Sequence, residues 1–394
     1  MKTRLPLLAE KSDCTGCMAC VASCKHGALI KVRGDDGHVY LSVVEEKCIG
    51  CLQCERVCKD ARGLIGSNDL KASEPYAAWA RDDYLRAHST SGGIAAAVGC
   101  WVVENGGSVA GVSFDGRHAS HTIVNEVSQL TQFQGSKYVW SDCSTVYKEI
   151  ETVLPKGKVL FVGTGCQVAG VLAFFKSNPY RSNLYTMDLI CGGVPSDLLM
   201  ESFFRERPEV GGITSFRTKR RYELKGYMEG AIVALPQSSL PISGFCAEQT
   251  MRHACYDCPF AFVHRKSDIT IGDLWGCKIS EKDIEKGVSL VIVHNEKGAD
   301  MLASSDVCKQ KMDWSQVLPD NPRLAYGHTP KTVLRRLLSK NYFRMSSSEF
   351  RHVYSLTSRP YQIRGFVYRL LVFIRRRINN VKRRRAILKI LQQC

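Results

Sequence analysis

Eight of the chain's 18 cysteines lie within its first 58 residues, in two sets of identical spacing. Cys14, Cys17, Cys20 and Cys24 form C-x2-C-x2-C-x3-C, and Cys48, Cys51, Cys54 and Cys58 repeat it. Three cysteines at successive intervals of three let a tight loop wrap one face of a 4Fe-4S cubane, each thiolate reaching a different iron. The fourth, one helical turn further on, ligates the other cluster in two-cluster domains. The spacing therefore assigns Cys14, Cys17, Cys20 and Cys58 to one 4Fe-4S cluster, and Cys48, Cys51, Cys54 and Cys24 to a second. Zinc is the competing reading, but structural zinc takes C-x2-C pairs far apart in sequence rather than three cysteines in seven residues. The motif often ends Cys-Pro, whereas Lys25 and Lys59 follow here. Those lysines either stabilise added negative charge on a cluster or face water.

Elements must hold these loops and whatever they are wired to. Gly34, Asp35, Asp36 and Gly37 read as a turn and residues 38–44 as a strand, giving an α+β ferredoxin-like dicluster domain over residues 1–66. Residues 67–75 are polar and read as a strandless linker. Beyond it, Ser89, Thr90, Ser91, Gly92 and Gly93 open a helix at residues 94–103. Hydroxyls and glycines there present free N–H groups and a positive dipole end suited to a phosphate or a carbonyl-rich ring, and a plain capped helix is the alternative. Residues 159–162 form an apolar run typical of a buried parallel strand. Gly163, Thr164, Gly165, Cys166 and Gln167 then turn into a helix at 168–175. Strands alternating with helices imply an α/β domain over residues 76–310, with binding loops beyond the strand carboxyl ends.

Further motifs follow in order: Gly135-Ser136-Lys137-Tyr138-Val139, Asp188-Leu189-Ile190-Cys191-Gly192-Gly193-Val194-Pro195-Ser196, Cys255-Tyr256-Asp257-Cys258, and a block at residues 268–276. Together with the 89–93 and 163–167 loops, this series resembles the coenzyme F-420 hydrogenase/dehydrogenase beta subunit family, here with an N-terminal two-cluster domain. The resemblance runs from about residue 14 to about residue 300. It implies an iron–sulfur flavoprotein whose FAD lies over Ser89 to Gly93, Ser136, Lys137, Tyr138, Gly163, Thr164 and Gln167. The family includes a plant reductase of a chlorophyll intermediate, and some similar proteins are associated with surface-polysaccharide assembly. Two positions depart from the family pattern: Gly165 replaces a proline, and Gly192 stands where a histidine is common. The second weakens any transfer of the family's best-known proton chemistry.

Cys166 and Cys191 each follow a predicted strand, and Cys255 and Cys258 form a C-x2-C pair on a loop. Four thiolates converging at the sheet edge could hold a third 4Fe-4S cluster beside the flavin. A dithiol at Cys255/Cys258, or reduced core cysteines, are the other readings, with Cys246 and Cys277 as substitute ligands. Cys100, Cys143 and Cys308 read as ordinary buried cysteines. Lys137 is the candidate catalytic residue, as a cation stabilising an anionic reduced flavin; a surface lysine at a strand end is the alternative. Clusters exchange single electrons and a flavin converts these to pairs. The expected function is an oxidoreductase passing electrons between ferredoxin or a similar carrier and an organic substrate, in either direction. The alternatives are an electron-transfer subunit feeding a partner enzyme, and a coenzyme F-420 (deazaflavin) oxidoreductase.

The 394 residues are 44% hydrophobic and 23% charged, which excludes wholesale disorder. No stretch approaches the roughly 18 apolar residues of a membrane span; the best candidate, residues 366–374, is broken by Arg369. No signal peptide is legible, so the expected location is cytoplasmic. Net charge is +16, yet residues 350–394 carry twelve basic residues and no acid, leaving +4 on the rest. The basicity belongs to a tail, and a nucleic-acid-binding body is not implied. After a linker or helical extension at 311–357, residues 358–394 read as a basic amphipathic helix. Ile363, Phe366, Val367, Leu370, Leu371, Ile374, Ile378 and Val381 fall on one face, suited to the inner membrane surface, with a protein partner, the chain's own body or RNA as the alternatives.

Overall fold

The computed structural model describes residues 4–219, 221–236, 239–248, 250–276, 279–324, 381, 384–385 and 387–392. Its N-terminal part is built on an antiparallel pair, β1 (Leu29–Arg33) and β2 (Val39–Val43), in the register Leu29↔Val43 to Arg33↔Val39. The connecting turn uses Gly37 at φ +75°, a conformation that costs a side-chain-bearing residue energy. The two cysteine loops share one backbone solution. Gly16 and Met18 take positive φ in the first (+75° and +58°), and Gly50 and Leu52 do so in the second (+69° and +58°). Left-handed residues on either side of the second cysteine curl each loop inward before a helix starts, at Ala19–Ser23 and at Gln53–Gly63.

The rest of the described chain is a sheet-centred body. Its strands are β3 (Glu74–Ala80), β4 (Ser108–Phe114), β5 (Ala119–Val124), β6 (Ser141–Asp142), β7 (Val159–Thr164), β8 (Leu184–Leu189), β9 (Gly212–Arg217), β10 (Tyr222–Met228), β11 (Ala231–Ala234), β12 (Ile269–Asp273), β13 (Ser289–Val293) and β14 (Val307–Lys311). Nine of them form one mixed sheet in the order β14-β3-β13-β12-β8-β7-β4-β5-β6, and β9, β10 and β11 form a separate antiparallel sheet. The centre is parallel, with β12, β8, β7 and β4 running the same way. On one side, β13, β3 and β14 continue it antiparallel. Parallel strands are covered on both faces and read as apolar runs; Val159, Leu160 and Phe161 of β7 are fully buried.

Helix Ile94–Glu104 covers one face, its Ile94, Val98 and Val102 packing with Leu160, Ile269 and Val291. Helix Gly165–Phe174 covers the other, where Val168 and Val171 share a core with Tyr147, Phe161, Met18, Ala22 and Val57. The cysteine-rich N-terminal part is thus packed into the body's core, not tethered beside it. Residues 67–75 differ from a strandless linker for the same reason. Leu70 and Ser73 are buried, Leu70–Ala72 is a 3-10 turn, and β3 already begins at Glu74 between β13 and β14. Polarity is all that the sequence displays there; burial of Leu70 beside Leu290 and Leu318 decides the conformation.

Most of the 311–357 extension and of the 358–394 tail lies outside the described residues. Where the tail is described, Ile387 and Ile390 are buried in the core around Leu70, Leu290 and Val317, which uses them to pack on the chain's own body. Among the described residues no helix is long and apolar enough to cross a membrane.

Candidate metal centres

The first cysteine group is positioned by the core beneath it. Cys14, Cys17, Cys20 and Cys58 line one cavity of about 680 Å³. Burial pushes the Cys17 thiol up to about 11, with Cys14 and Cys58 adding to the shift, and drives Cys20 higher for the same reasons. The Ala19 N–H opposes this at Cys17, and the Ala9 N–H does so at Cys58. Backbone donors aimed at sulfur favour the thiolate, while burial and neighbouring sulfurs disfavour it. A bound cationic iron core resolves that conflict, and hydrogen bonds to sulfur are a normal part of cluster ligation.

The second group lies nearer the surface. Cys54 is buried and interacts with Cys24 and Cys51. Cys24 accepts the Ala28 N–H at 3.4 Å, Cys48 is half-buried and Cys51 is exposed. The fourth cysteine of each motif therefore stands with the other motif's sulfurs: Cys58 beside Cys14, and Cys24 beside Cys54.

The third group is assembled by the sheet. Cys166 sits in the first turn of the helix after β7, Cys191 follows β8, and Cys255 and Cys258 precede β12. Because β7 and β8 are adjacent and parallel, the carboxyl ends that carry Cys166 and Cys191 abut. The loop with Cys255 and Cys258 reaches them through the chain after Cys191, where Pro195 pairs with Met251 and Arg252 N–H donates to the Val194 carbonyl. Cys166 interacts electrostatically with Cys258, Cys191 and Cys255, and burial raises all four thiols, Cys255 to about 12. Here too N–H groups face sulfur: Gly193 donates to Cys191 at 3.2 Å, Val194 faces Cys255, and Phe260 and Ala261 face Cys258. Of the substitute ligands, Cys246 is exposed and Cys277 lies outside the described residues. Among the described residues no three Cys, His, Asp or Glu side chains are gathered closely enough to share one metal ion. A cubane makes a looser demand, since each thiolate binds its own iron.

The first and third groups meet. The cavity that holds Cys14, Cys17, Cys20 and Cys58 is also lined by Cys166 and by His253, Ala254, Tyr256, Asp257, Pro259 and Phe260, the loop that carries Cys255 and Cys258.

Sequence spacing did not reveal the residues that brace this junction. Tyr147 Oη and Cys143 Sγ both donate to the Cys17 carbonyl, at 2.6 and 3.0 Å, and Trp140 Nε1 donates to the Gly16 carbonyl at 3.2 Å. Cys143 is thus a buried cysteine with a positioning contact. Arg252 is fully buried. It donates to the carbonyls of Val39 (2.7 Å) and Cys14 (3.3 Å) and lies over the Tyr40 ring at 4.9 Å. Among the described residues no carboxylate forms an ion pair with it, and its charge acts on both Asp197 and Cys255. Gly170 is the one sequence signal here: a Cβ there would lie 2.6 Å from Tyr147 Oη and 3.2 Å from Cys17 Sγ.

The loops expected to cradle a flavin are partly together. Thr90 Oγ1 meets Ser136 Oγ at 3.1 Å, beside the N-terminus of helix Ile94–Glu104, which has no side-chain cap. The other hydroxyls are used internally: Ser89 donates to the Leu85 carbonyl, and Ser91 to the Val288 carbonyl. Gly92 N–H donates to Ser289 Oγ, and Gly93 takes φ +82°. Tyr138 packs on Phe245 at 4.3 Å. Lys137 donates to the carbonyls of Phe133 (2.8 Å) and Gln134 (2.9 Å) at the end of a 3-10 helix, and burial lowers it to about 8. The third loop is not a loop beyond Thr164. The helix starts at Gly165, three residues earlier than the sequence suggested, because Thr164 and Gln167 form a capping box. Gln167 also donates to Ser141 Oγ at 2.9 Å, and Gly163 has Phe161 and Gln167 against it. None of these loop residues lines the cysteine cavity. At Gly192 a side chain would collide with Arg323 and Phe245, so the space a histidine would need is already filled.

The chain's likeness to known proteins follows this division. The family described as the C terminus of the coenzyme F420 hydrogenase/dehydrogenase beta subunit matches residues 156–311, and the 4Fe-4S dicluster domain matches residues 13–61. No curated protein matches the chain. Among solved structures, a chain from the xenon-derivatised F420-reducing NiFe hydrogenase complex of Methanosarcina barkeri is similar at 16% identity and a TM-score of 0.47, covering 73% of this chain and 92% of that one. Residues 13–61 are therefore a 4Fe-4S dicluster domain, and residues 156–311 are related to the C-terminal region of coenzyme F420 hydrogenase/dehydrogenase beta subunits, which together make this chain an iron–sulfur electron-transfer protein.

Proposed function

We propose that the chain is an electron-transfer subunit that carries single electrons between a soluble carrier such as a ferredoxin and a partner enzyme that holds the substrate. The N-terminal clusters would be held by Cys14, Cys17, Cys20 and Cys58 and by Cys48, Cys51, Cys54 and Cys24. A third would be held by Cys166, Cys191, Cys255 and Cys258. The observation that carries this reading is the cavity shared by the first cysteine group and Cys166, because it leaves no layer of protein between the N-terminal domain and the body's own thiols. The exposed Cys51 marks the opposite, solvent-facing end.

A second reading, a flavin-dependent oxidoreductase acting on its own organic substrate, is favoured by the Thr90–Ser136 pair at an uncapped helix N-terminus. These groups, with the N–H groups of that first turn, suit a cofactor phosphate. FAD bound there would supply the change from single to paired electrons. Lys137 would contribute positive charge near it, through the carbonyl-capped ammonium.

Anaerobic purification followed by iron and flavin analysis tests both readings. Three clusters give about twelve irons per chain at four irons each. A value of about eight removes the third cluster, and zinc in place of iron overturns the proposal. Fast cluster reduction without turnover identifies a subunit; turnover by the isolated chain, or reduction of a deazaflavin, identifies an enzyme.

A further inference from the structure

A line of buried polar side chains, separate from the cysteines, runs from the surface to the third cysteine group. His264 is half-buried and its Nδ1 lies 2.9 Å from Ser73 Oγ. Ser73 Oγ lies 2.8 Å from His294 Nδ1, and His294 Nε2 lies 2.7 Å from Thr270 Oγ1. Thr270 donates to Asp188 Oδ1, and Arg265 Nη1 donates to Asp188 Oδ2 at 3.1 Å. Ser73, His294, Thr270, Asp188 and Arg265 are all buried.

The chemistry of the ends fixes the direction of every link. An ionised carboxylate only accepts, so the single hydroxyl proton of Thr270 goes to Asp188. Thr270 Oγ1 must then accept from His294 Nε2–H. A neutral imidazole with its proton on Nε2 accepts at Nδ1, so Ser73 donates to it, and Ser73 in turn accepts from His264 Nδ1–H. Burial, with Arg265 and His264 nearby, holds His294 well below the usual histidine range, consistent with the neutral ring this order requires. The other charged groups are accounted for. Lys266 and Asp69 face His264. Asp268, behind His294, is held by Thr186 (2.7 Å) and Asn295 (3.1 Å) and takes no part.

The line ends against the cysteines. Arg323, Arg265 and Asp188 all act electrostatically on Cys191, Arg323 first among them. A Cβ at Gly165, the neighbour of Cys166, would lie 3.1 Å from Asp188 Oδ2 and 3.8 Å from Arg265 Nη1. Negative charge arriving on these sulfurs therefore appears near two guanidinium groups and beside a carboxylate with a connected path to water.

We propose that His264, Ser73, His294, Thr270 and Asp188 form a proton relay that moves one proton onto Asp188 for each electron accepted by the Cys166/Cys191/Cys255/Cys258 group. This rests on the reading that those cysteines hold a redox cluster. The electron comes from the one-electron donor and the proton from solvent. The proton adds to the free nitrogen of His264, whose Nδ1 proton passes to Ser73. The Ser73 proton passes to His294 Nδ1, the His294 Nε2 proton to Thr270, and the Thr270 proton to Asp188. One proton enters per electron, only N–H and O–H bonds change, and the added charge is neutralised. When the electron leaves, the same steps run backward and restore the original order, so neither ring has to flip.

The test uses the anaerobically purified full chain, with iron counted first, and follows the third cluster's EPR signal in redox titrations from pH 6 to 8. One proton per electron makes the potential fall by about 59 mV per pH unit, a tenfold change in the equilibrium for each unit. Asp188→Asn should flatten that slope. Ser73→Ala should keep it while slowing reduction at least tenfold and changing the solvent deuterium isotope effect, and Ser73→Thr, which restores a hydroxyl, should recover the rate. A pH-independent potential in protein holding about twelve irons overturns the relay and leaves the electron-transfer reading standing. So does a Ser73→Ala protein reduced as fast as the unaltered chain. About eight irons removes the relay's destination, and overturns both.

Discussion

The two cysteine-rich regions of this chain reach similar arrangements by opposite routes. The N-terminal eight thiols sit within 45 residues, and their geometry is a local matter of paired left-handed residues, Gly16/Met18 and Gly50/Leu52, around C-x2-C-x2-C loops. The body's four thiols are spread from Cys166 to Cys258 and meet because β7 and β8 are parallel neighbours and because the segment before Cys255 pairs with the one after Cys191, at Pro195 and Met251. A site of the first kind is specified by spacing; one of the second kind exists only once the sheet has formed. The junction between them is a shared core in which Met18, Ala22 and Val57 pack with Val168 and Val171.

That contrast can be broken most severely at the thiols. Cys258→Ser should lower iron from about twelve to about eight per chain and leave both N-terminal clusters in place. Cys20→Ser, whose side chain belongs to the shared core, should cost about four irons and also lower the melting temperature of the whole chain. Equal thermal stability in the two variants would mean the regions are not joined as described.

The next effect is set by pH. His38, on the N-terminal hairpin, contacts the Thr250 carbonyl of the body at 3.1 Å, and burial beside Arg252 lowers it from 6.5 to about 3. Its folded value is depressed, so the unfolded chain binds the extra proton. The stability it protects is full above about 6.5 and is lost as pH falls towards 3. Denaturation should become easier across that window by up to a few kcal/mol, and His38→Gln should flatten the profile. An unchanged profile would exclude this contact as the acid-sensitive one. The smallest effect belongs to Tyr147→Phe, which deletes the 2.6 Å hydrogen bond to the Cys17 carbonyl while Cys143 still donates there. It should cost about 1 kcal/mol in urea unfolding, with iron content unchanged; loss of iron would make Tyr147 essential to the cluster loop itself.

What the sequence disclosed follows the same division. The repeated cysteine motif, the buried run at β7 and the helix after Gly93 are local patterns, legible from spacing and apolar periodicity. Arg252, Trp140 and Tyr147 are not, because each acts through a backbone carbonyl more than a hundred residues away. Residues 67–75 read as a linker since their polarity is visible, while the burial of Ser73 between His264 and His294 depends on tertiary neighbours. At Gly165 the glycine suggested a loop, yet the Thr164–Gln167 capping box starts the helix at once.

If the N-terminal clusters and the body's four cysteines form one continuous path, the clusters must interact magnetically across the shared cavity. EPR of the fully reduced protein reads that interaction without any intervening step. A continuous path gives a spin-coupled, broadened spectrum that simplifies to two N-terminal signals in Cys258→Ser. An identical spectrum in both proteins would contradict it.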